Sequence, residues 1–288
     1  MKIGVFIFPT ATSIDVATLA KHAEAAGFES LWIPEHPVLP VNPKTPFPGS
    51  PDGVIPATYA QLVDPFIGLA TAASVTATIK LGTGICLVPE RNPLITAKEI
   101  ATLDHYSRGR FLFGIGAGWL REETEIFRAN FERRWSWTRE CILAMKELWT
   151  TDEAEFHGEF IHFPPVKCFP KPAQKPHPPI ILGGTAKNVL KRVVAYGNGW
   201  LPNRVSPEQI RASREELNKL ATQAGRDPRS LEISVFGLPN NPDLVKRFAE
   251  AGADRAIIML NSAPEQQALA ELAKIAARVL QQSRGIPG

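Results

Sequence analysis

The chain has 288 residues, of which 44% are hydrophobic and 21% charged. These fractions are ordinary for a globular protein, and the length suits one α/β barrel with a sizeable core. The formal net charge is only +3, and like charges form no long run, which disfavours nucleic acid as a partner. Apolar stretches are short and are broken by Gly, Pro or Lys, so the sequence predicts no membrane-spanning helix.

The three cysteines, Cys86, Cys141 and Cys168, do not resemble a disulfide framework. Their number is odd, their spacing is wide and none forms a CxxC pair, which favours reduced thiols in a cytoplasmic enzyme. The N-terminal MKIGVFIFPTATSID has a short apolar run without a small-residue cleavage site after it. We therefore interpret it as a first β-strand rather than a signal peptide.

Short apolar runs alternate with longer amphipathic ones along the whole chain. The predicted strands are Lys2–Phe8, Ser30–Pro34, Ile79–Val88, Arg110–Ile115, Pro179–Leu182, Gly199–Leu201, Leu231–Phe236 and Asp254–Leu260. The predicted helices are Ile14–Ala26, Leu62–Ser74, Leu94–Tyr106, Arg121–Trp149, Ala186–Tyr196, Pro207–Gln223, Asp243–Ala251 and Pro264–Gln282. Eight units of this kind predict a single (β/α)8 TIM barrel over residues 1–288, with a doubly wound open sheet as the alternative.

Two segments interrupt this alternation. His36–Tyr59, after strand two, contains many prolines and has no periodicity. Thr151–Pro178, before strand five, alternates phenylalanines with polar residues, which predicts a small hairpin followed by an extended run. Long loops in compact domains are usually binding loops or lids. We expect the first segment to lie over the carboxyl-terminal mouth of the barrel, where the active sites of such barrels are built.

Strands two and three end with residues that suit a binding site. Strand two ends in WIPEHP, which places Glu35 and His36 at the mouth. Histidine can donate, accept or transfer a proton near neutral pH, although a loop histidine without a role is the alternative. Strand three contains Gly82 and Gly84 in LGTGICLVPERNP. These glycines indicate a bulge, a flat ligand against the backbone, or crowding inside the barrel.

Strand four ends in FGIGAGWLREE, which contains Gly116, Gly118 and Trp119. This GxGxGW pattern differs from the dinucleotide fingerprint GxGxxG, so we reject a Rossmann site. The glycines allow a planar ligand to approach, and Trp119 would border it. Arg121 begins the next helix as a candidate substrate or lid residue. The acidic residues that follow it, Glu122 and Glu123, are common helix-dipole partners and are weak candidates.

Strand five leads into a helix through Gly183, Gly184 and Thr185. Free backbone N–H groups at the start of a helix form an anion site, and glycine gives access to them. An ordinary helix-capping turn is the alternative. Strand six, in GNGWLPN, places Trp200 and Asn203 beside this turn.

Metal binding and nucleophilic catalysis have little support in the sequence. The six histidines show neither HxH nor HExxH spacing, and no GxSxG elbow is present. A metal-dependent hydrolase barrel is therefore disfavoured.

The chain resembles the bacterial luciferase-like superfamily of flavin- and deazaflavin-dependent barrels over essentially its whole length. The resemblance lies in AEAAGFESLWIPEH, in LGTGICLVPERNPLITAKEIATLDHYSRGRFLFGIGAGWLREE and in PPIILGGTAKNVLKRVVAYGNGWLP. The middle segment, with LDxxSxGR followed by GxGxGW, is similar to the branch of oxidoreductases that depend on coenzyme F420.

This resemblance implies a tricyclic cofactor ring in the barrel mouth. It implies a bulge or non-proline cis peptide at Gly84 and Ile85 beneath the ring, with His36 near its reactive edge. The cofactor phosphate would bind at Gly183, Gly184 and Thr185. Some deazaflavin-dependent sugar-phosphate dehydrogenases carry a glutamate after the strand-four glycines, whereas this chain has Trp119, which disfavours that reaction.

The sequence leads to three functional hypotheses. The first is an oxidoreductase that transfers a hydride between coenzyme F420 and a small organic substrate, with His36–Tyr59 closing over it. The second is an FMN-dependent monooxygenase that activates dioxygen, and the third is a non-catalytic flavin-binding relative. The resemblance and the apolar helices Leu62–Ser74 and Leu94–Tyr106 also suggest a homodimer.

Overall fold

A computed structural model describes residues 1–280 of the chain. Eight short, buried parallel strands surround one axis. They are Lys2–Phe6, Ser30–Ile33, Lys80–Thr83, Phe111–Gly116, Ile180–Gly183, Gly199–Leu201, Glu232–Leu238 and Arg255–Met259. We number them one to eight, so that each corresponds to a strand expected from the sequence.

The parallel sheet closes on itself. Strand one pairs with strands two and eight, and the neighbours continue around to strand four. Strands three and four then pair through Leu81 with Phe111 and Gly82 with Leu112, which completes the ring. This closure confirms the (β/α)8 barrel and excludes the doubly wound open sheet.

Helices alternate with the strands and pack outside them. The α-helices are Val16–Ala26, Pro65–Val75, Pro93–Tyr106, Arg121–Ile126, Arg134–Thr150, Val189–Tyr196, Pro207–Gln223, Pro242–Glu250 and Glu265–Ile275. Proline at N1 follows a capping Asp, Asn or Ser in four of them, as at Asp64 and Ser206. None of the helices within residues 1–280 is both long and apolar enough to cross a membrane. The predicted end of the last helix, residues 281 and 282, lies outside the described residues.

Two predicted elements are interrupted in the structure. The helix expected over 121–149 is divided, because Arg128 has a positive φ of 63° and Asn130 caps a short 3-10 turn. The strand expected over 79–88 stops at Thr83 and resumes at Cys86–Leu87, with a cis peptide between Gly84 and Ile85. This is the feature that the family resemblance implied.

Both predicted insertions lie where the sequence placed them. The second contains the expected hairpin, in which Ala154–His157 pairs antiparallel with His162–Val166. The first, residues 36–59, contains a 3-10 turn that begins at Ala57 and otherwise lacks regular structure. Its Phe47 side chain is buried, so this segment packs onto the barrel.

Side chains fill the barrel interior below the mouth. An inner cluster includes Phe6, Trp32 and Ile257, while a larger apolar cluster lies between the sheet and the helices. At the opposite end, Arg255 is 2% exposed and forms ion pairs with Glu29 and Glu232. The interior is therefore a packed core, as in other barrels of this type.

Candidate functional site

A cavity of about 540 Å³ opens at the carboxyl ends of the strands. Ten of the twelve predicted site residues line it. They are Glu35, His36, Gly84, Ile85, Gly116, Gly118, Trp119, Gly183, Gly184 and Thr185. The structure thus brings together residues from strand ends two to five, which is the usual construction of a barrel active site.

The two other candidates lie outside this cavity. Arg121 is 41% exposed and forms ion pairs with Glu125 and Glu132 on the protein surface. Trp200 is buried, and its indole Nε1 donates a hydrogen bond to the carbonyl of Gly184 at 2.7 Å. Trp200 therefore supports the turn after strand five from behind rather than bordering the cavity.

Glu35 borders the cavity, but its carboxylate is engaged within the protein. Its Oε2 accepts a hydrogen bond from the amide of Leu87 at 2.7 Å, and its Oε1 accepts from Arg91 Nε at 2.5 Å. Its side chain is only 1% exposed. Glu35 therefore holds the segment after the strand-three break in place, which is a structural task rather than the substrate contact expected from the sequence.

His36 is the group in the cavity best suited to proton transfer. Its Nδ1 lies 2.6 Å from Glu123 Oε2, and the two side chains are 6% and 1% exposed. Its Nε2 has no hydrogen-bond partner within residues 1–280. A neutral imidazole that donates through Nδ1 presents a lone pair at Nε2, so His36 can accept a proton there and return it.

Aromatic rings pack around His36. The ring centroids of Tyr59 and Trp119 lie 5.0 and 5.9 Å from that of His36. Phe47, from the Pro-rich segment, contacts both of them. Burial raises the pKa of the Tyr59 hydroxyl, with the charge of Arg204 acting in the opposite direction. The segment after strand two thus covers the mouth, as the sequence predicted.

Most of the strand-end glycines are needed for packing. A Cβ on Gly116 would lie 1.8 Å from Ile85 Cδ1, and one on Gly183 would lie 2.9 Å from Ile85 Cγ2. A Cβ on Gly84 would lie 2.6 Å from the Phe236 ring. Gly116 and Gly183 therefore leave room for the Ile85 side chain.

Gly82 supports the crowding alternative, since a Cβ there would lie 2.3 Å from the Trp32 ring. Gly184 differs from Gly84, Gly116 and Gly183. Its φ is +83°, and no atom lies within 4 Å of the place where its Cβ would be. Among the mouth glycines, Gly184 therefore has open space beside its backbone into which a ligand can come.

The turn after strand five differs from the helix start expected there. The helix begins at Val189, three residues later than predicted, after Asn188 in a left-handed conformation. The amide of Gly184 donates to the carbonyl of Leu201 at 3.1 Å. Within residues 1–280, the amides of Thr185 and Ala186 have no acceptor. Those two amides, rather than that of Gly184, are available to an anion.

Two arginines that the sequence analysis missed also line the cavity. Arg134 donates to the carbonyl of Gly118 at 3.1 Å, and Arg204 donates to the carbonyl of Pro48. Neither forms an ion pair with a carboxylate of the described chain. Two cations that form no ion pair favour an anionic ligand. Arg134 begins a helix and Arg204 follows strand six. These positions were the signals that the sequence offered.

Other chemistries have little support in the described residues. No group of three or more His, Cys, Asp or Glu residues among them is arranged to hold a metal ion. Cys86 is fully buried, and burial raises the pKa of its thiol well above the usual value. It is therefore a poor nucleophile.

Residues 1–280 match the model of the luciferase-like monooxygenase family. The chain belongs to this family, whose members are oxidoreductases and monooxygenases that act on small molecules.

Individual relatives differ in cofactor. The chain is 34% identical to an uncharacterized protein of Mycobacterium tuberculosis over 286 residues, covering 97% of this chain and 99% of the relative. It is 29% identical to the FMNH2-dependent dimethylsulfone monooxygenase of Pseudomonas putida over 180 residues, covering 60% and 47%. The coenzyme F420-dependent tetrahydromethanopterin reductase of Methanopyrus kandleri superimposes with a TM-score of 0.74 at 18% identity, covering 98% and 99%. At that identity the likeness shows a shared fold.

Proposed function

We propose that the protein is an oxidoreductase that exchanges a hydride between coenzyme F420 and a small organic substrate. The observation that carries the proposal is His36, a buried proton-transfer group with a free Nε2 beside a cavity with open backbone at Gly184. The choice of F420 is supported by the LDxxSxGR and GxGxGW motifs and by the fold shared with the Methanopyrus reductase.

The residues fit such a cofactor. Gly184 and the amides of Thr185 and Ala186 would hold its phosphate, and Arg134 and Arg204 supply positive charge around the mouth. When bound, the deazaflavin ring supplies a carbon centre that accepts or gives a hydride.

The protein's own residues position the substrate and move the proton. When a hydride leaves a substrate carbon, the hydroxyl on that same carbon gives its proton to His36 Nε2. Glu123 stabilises the imidazolium that forms. The reverse reaction returns the hydride and the proton to the substrate. Tyr59, Trp119 and Phe47 exclude water from the site.

An FMN-dependent monooxygenase is the second candidate, favoured by the likeness to the dimethylsulfone monooxygenase. In one arm, purified protein is tested with F420 and a panel of alcohols. In the other arm, the same panel is tested with reduced FMN and dioxygen. We expect F420 absorbance to fall with at least one alcohol. Oxygen consumption coupled to substrate oxidation with reduced FMN, without any F420 turnover, would overturn the proposal. Cofactor binding without turnover in either arm would favour the non-catalytic alternative.

The same proposal includes a homodimer. Ile67 and Ile95 are 68% and 60% exposed, and Tyr106 is 76% exposed. These side chains lie on the neighbouring helices Pro65–Val75 and Pro93–Tyr106, which the sequence had marked as apolar. Exposed apolar side chains on adjacent elements are typical of association surfaces, and a second copy of the chain would cover them.

Replacing Ile95 by Glu is expected to convert the dimer to a monomer. A charge at the interface would remain without a partner and would have to be desolvated. Size-exclusion chromatography with light scattering measures the mass. Ile126→Glu is the matched control, because Ile126 is also exposed, at 57%, but lies on another helix. A wild-type monomer, or a dimer that survives Ile95→Glu, would refute this assembly.

A further inference from the structure

Two buried carboxylates lie behind His36. Glu123 binds His36 through Oε2, while its Oε1 is buried without a hydrogen-bond partner. Glu90 accepts a hydrogen bond from Thr124 Oγ1 at 3.2 Å through its Oε1, and its Oε2 is likewise buried without a partner. Glu90 is 3% exposed and Glu123 is fully buried. Glu90 takes no part in the proposed reaction as described above.

The charges around this pair do not balance if both carboxylates are ionised. The charged groups that act on Glu90 are Glu123, Glu35 and Arg91. Arg91 already forms ion pairs with three carboxylates, those of Glu35, Asp64 and Glu99. Of the described groups that contact or act on Glu90 and Glu123, the imidazole of His36 alone can supply a further positive charge. Two buried anions with at most one cation are costly, and a proton on one of them removes the excess.

We propose that Glu90 is a positioning residue that keeps a proton, so that Glu123 is the one ionised carboxylate behind His36. Of the two, Glu123 is the better anion because it contacts the imidazole directly. Burial, with the nearby charge of Glu123, raises the pKa of Glu90 to about 9.

The consequence for His36 is that its imidazolium and Glu123 together are neutral, and that one buried anion, rather than two, remains when His36 is neutral. A single carboxylate stabilises the imidazolium without fixing it, so His36 can release its proton again. A second ionised carboxylate would hold that proton more tightly and would impair His36 as an acid. This role rests on the proposed function of His36, but the protonation of Glu90 does not depend on any cofactor or substrate.

Glu90→Gln tests the idea through folding stability. The folded pKa of about 9 exceeds the ordinary value of 4.5. The favourable effect of the proton on folding is therefore fully present below about 4.5 and is lost as the pH rises toward 9. We expect the urea midpoint of Glu90→Gln to rise relative to wild type as the pH increases from 5 to 8. A difference between the two midpoints that stays constant with pH would count against the proposal.

Carbon-13 NMR of protein labelled at the glutamate carboxyl carbons gives the decisive test. One resonance should have the chemical shift of the acid form at pH 7, titrate near pH 9 and disappear in Glu90→Gln. In Glu123→Gln the same resonance should titrate at lower pH, because the repelling charge is gone. Glu125→Gln, an exposed position on the same helix, should leave it unchanged. Absence of an acid-form resonance at pH 7, or its persistence in Glu90→Gln, would overturn the proposal even if F420 turnover is found.

Discussion

Gly184→Val is expected to weaken the binding of F420 by at least about 100-fold, or roughly 2.7 kcal/mol. The space beside Gly184 is open, and its backbone is left-handed at φ +83°. A branched side chain there would fill the approach to the free amides of Thr185 and Ala186. Fluorescence quenching of F420, titrated with protein, measures the dissociation constant.

The matched control for this substitution is Gly225→Val. Gly225 also has a positive φ, of +68°, with no atom within 4 Å of its Cβ position, but it follows the remote helix Pro207–Gln223. Both variants incur the strain of a left-handed β-branched residue, about 1–2 kcal/mol. Equal binding by Gly184→Val and Gly225→Val would show that the turn after strand five does not hold the cofactor.

His36→Asn is expected to lower the turnover number by about 10²–10⁴-fold, which is the usual contribution of general acid–base catalysis. The amide of asparagine can still form a hydrogen bond to Glu123, but it cannot accept and return a proton. Cofactor affinity should change little, because the free cations and amides of the mouth remain. Steady-state kinetics with the best alcohol of the panel, together with the F420 titration, separates the two effects.

His22→Asn serves as the control, since His22 is exposed on the first helix and its ring forms a hydrogen bond with the carbonyl of Thr18 in its own helix. It should retain wild-type turnover. If His36→Asn also retained it, His36 would have no role in proton transfer, and a structural or ring-contacting role would replace it.

The sequence predicted the barrel because the periodicity of short apolar strands and amphipathic helices is local information. The positions where predicted helices are interrupted or begin late were harder to predict. Arg128 adopts a positive φ inside a stretch whose apolar spacing continues as if it were helical. The delayed start of the helix at Val189 was missed for the same reason, since Ala186 and Lys187 are compatible with a helix.

The glycines of the mouth were found in the right places but were explained incompletely. Their spacing suggested access for a flat ligand, whereas Gly116 and Gly183 accommodate the side chain of Ile85. Only the three-dimensional arrangement shows that Ile85 lies against the ends of strands four and five. Sequence reasoning detects that a side chain is missing, but it does not detect what occupies the space.

The partner of His36 was undervalued for a different reason. Glu123 lies 87 positions away in the chain, and acidic residues in a first helical turn are common. Helix-dipole partnership was therefore a sufficient explanation until the fold placed Glu123 against strand two. Arg134 and Arg204 were missed because neither belongs to a motif, and their free charge is apparent only from the surrounding structure.

We infer that the mouth of the barrel holds a flat redox ring whose phosphate lies at the turn after strand five. A crystal structure of the protein with F420 tests it most directly. We predict density for the ring within the cavity bordered by His36 and Ile85, with the phosphate at Thr185 and Ala186. Cofactor density outside that cavity, or a phosphate held away from residues 184–186, would contradict the account.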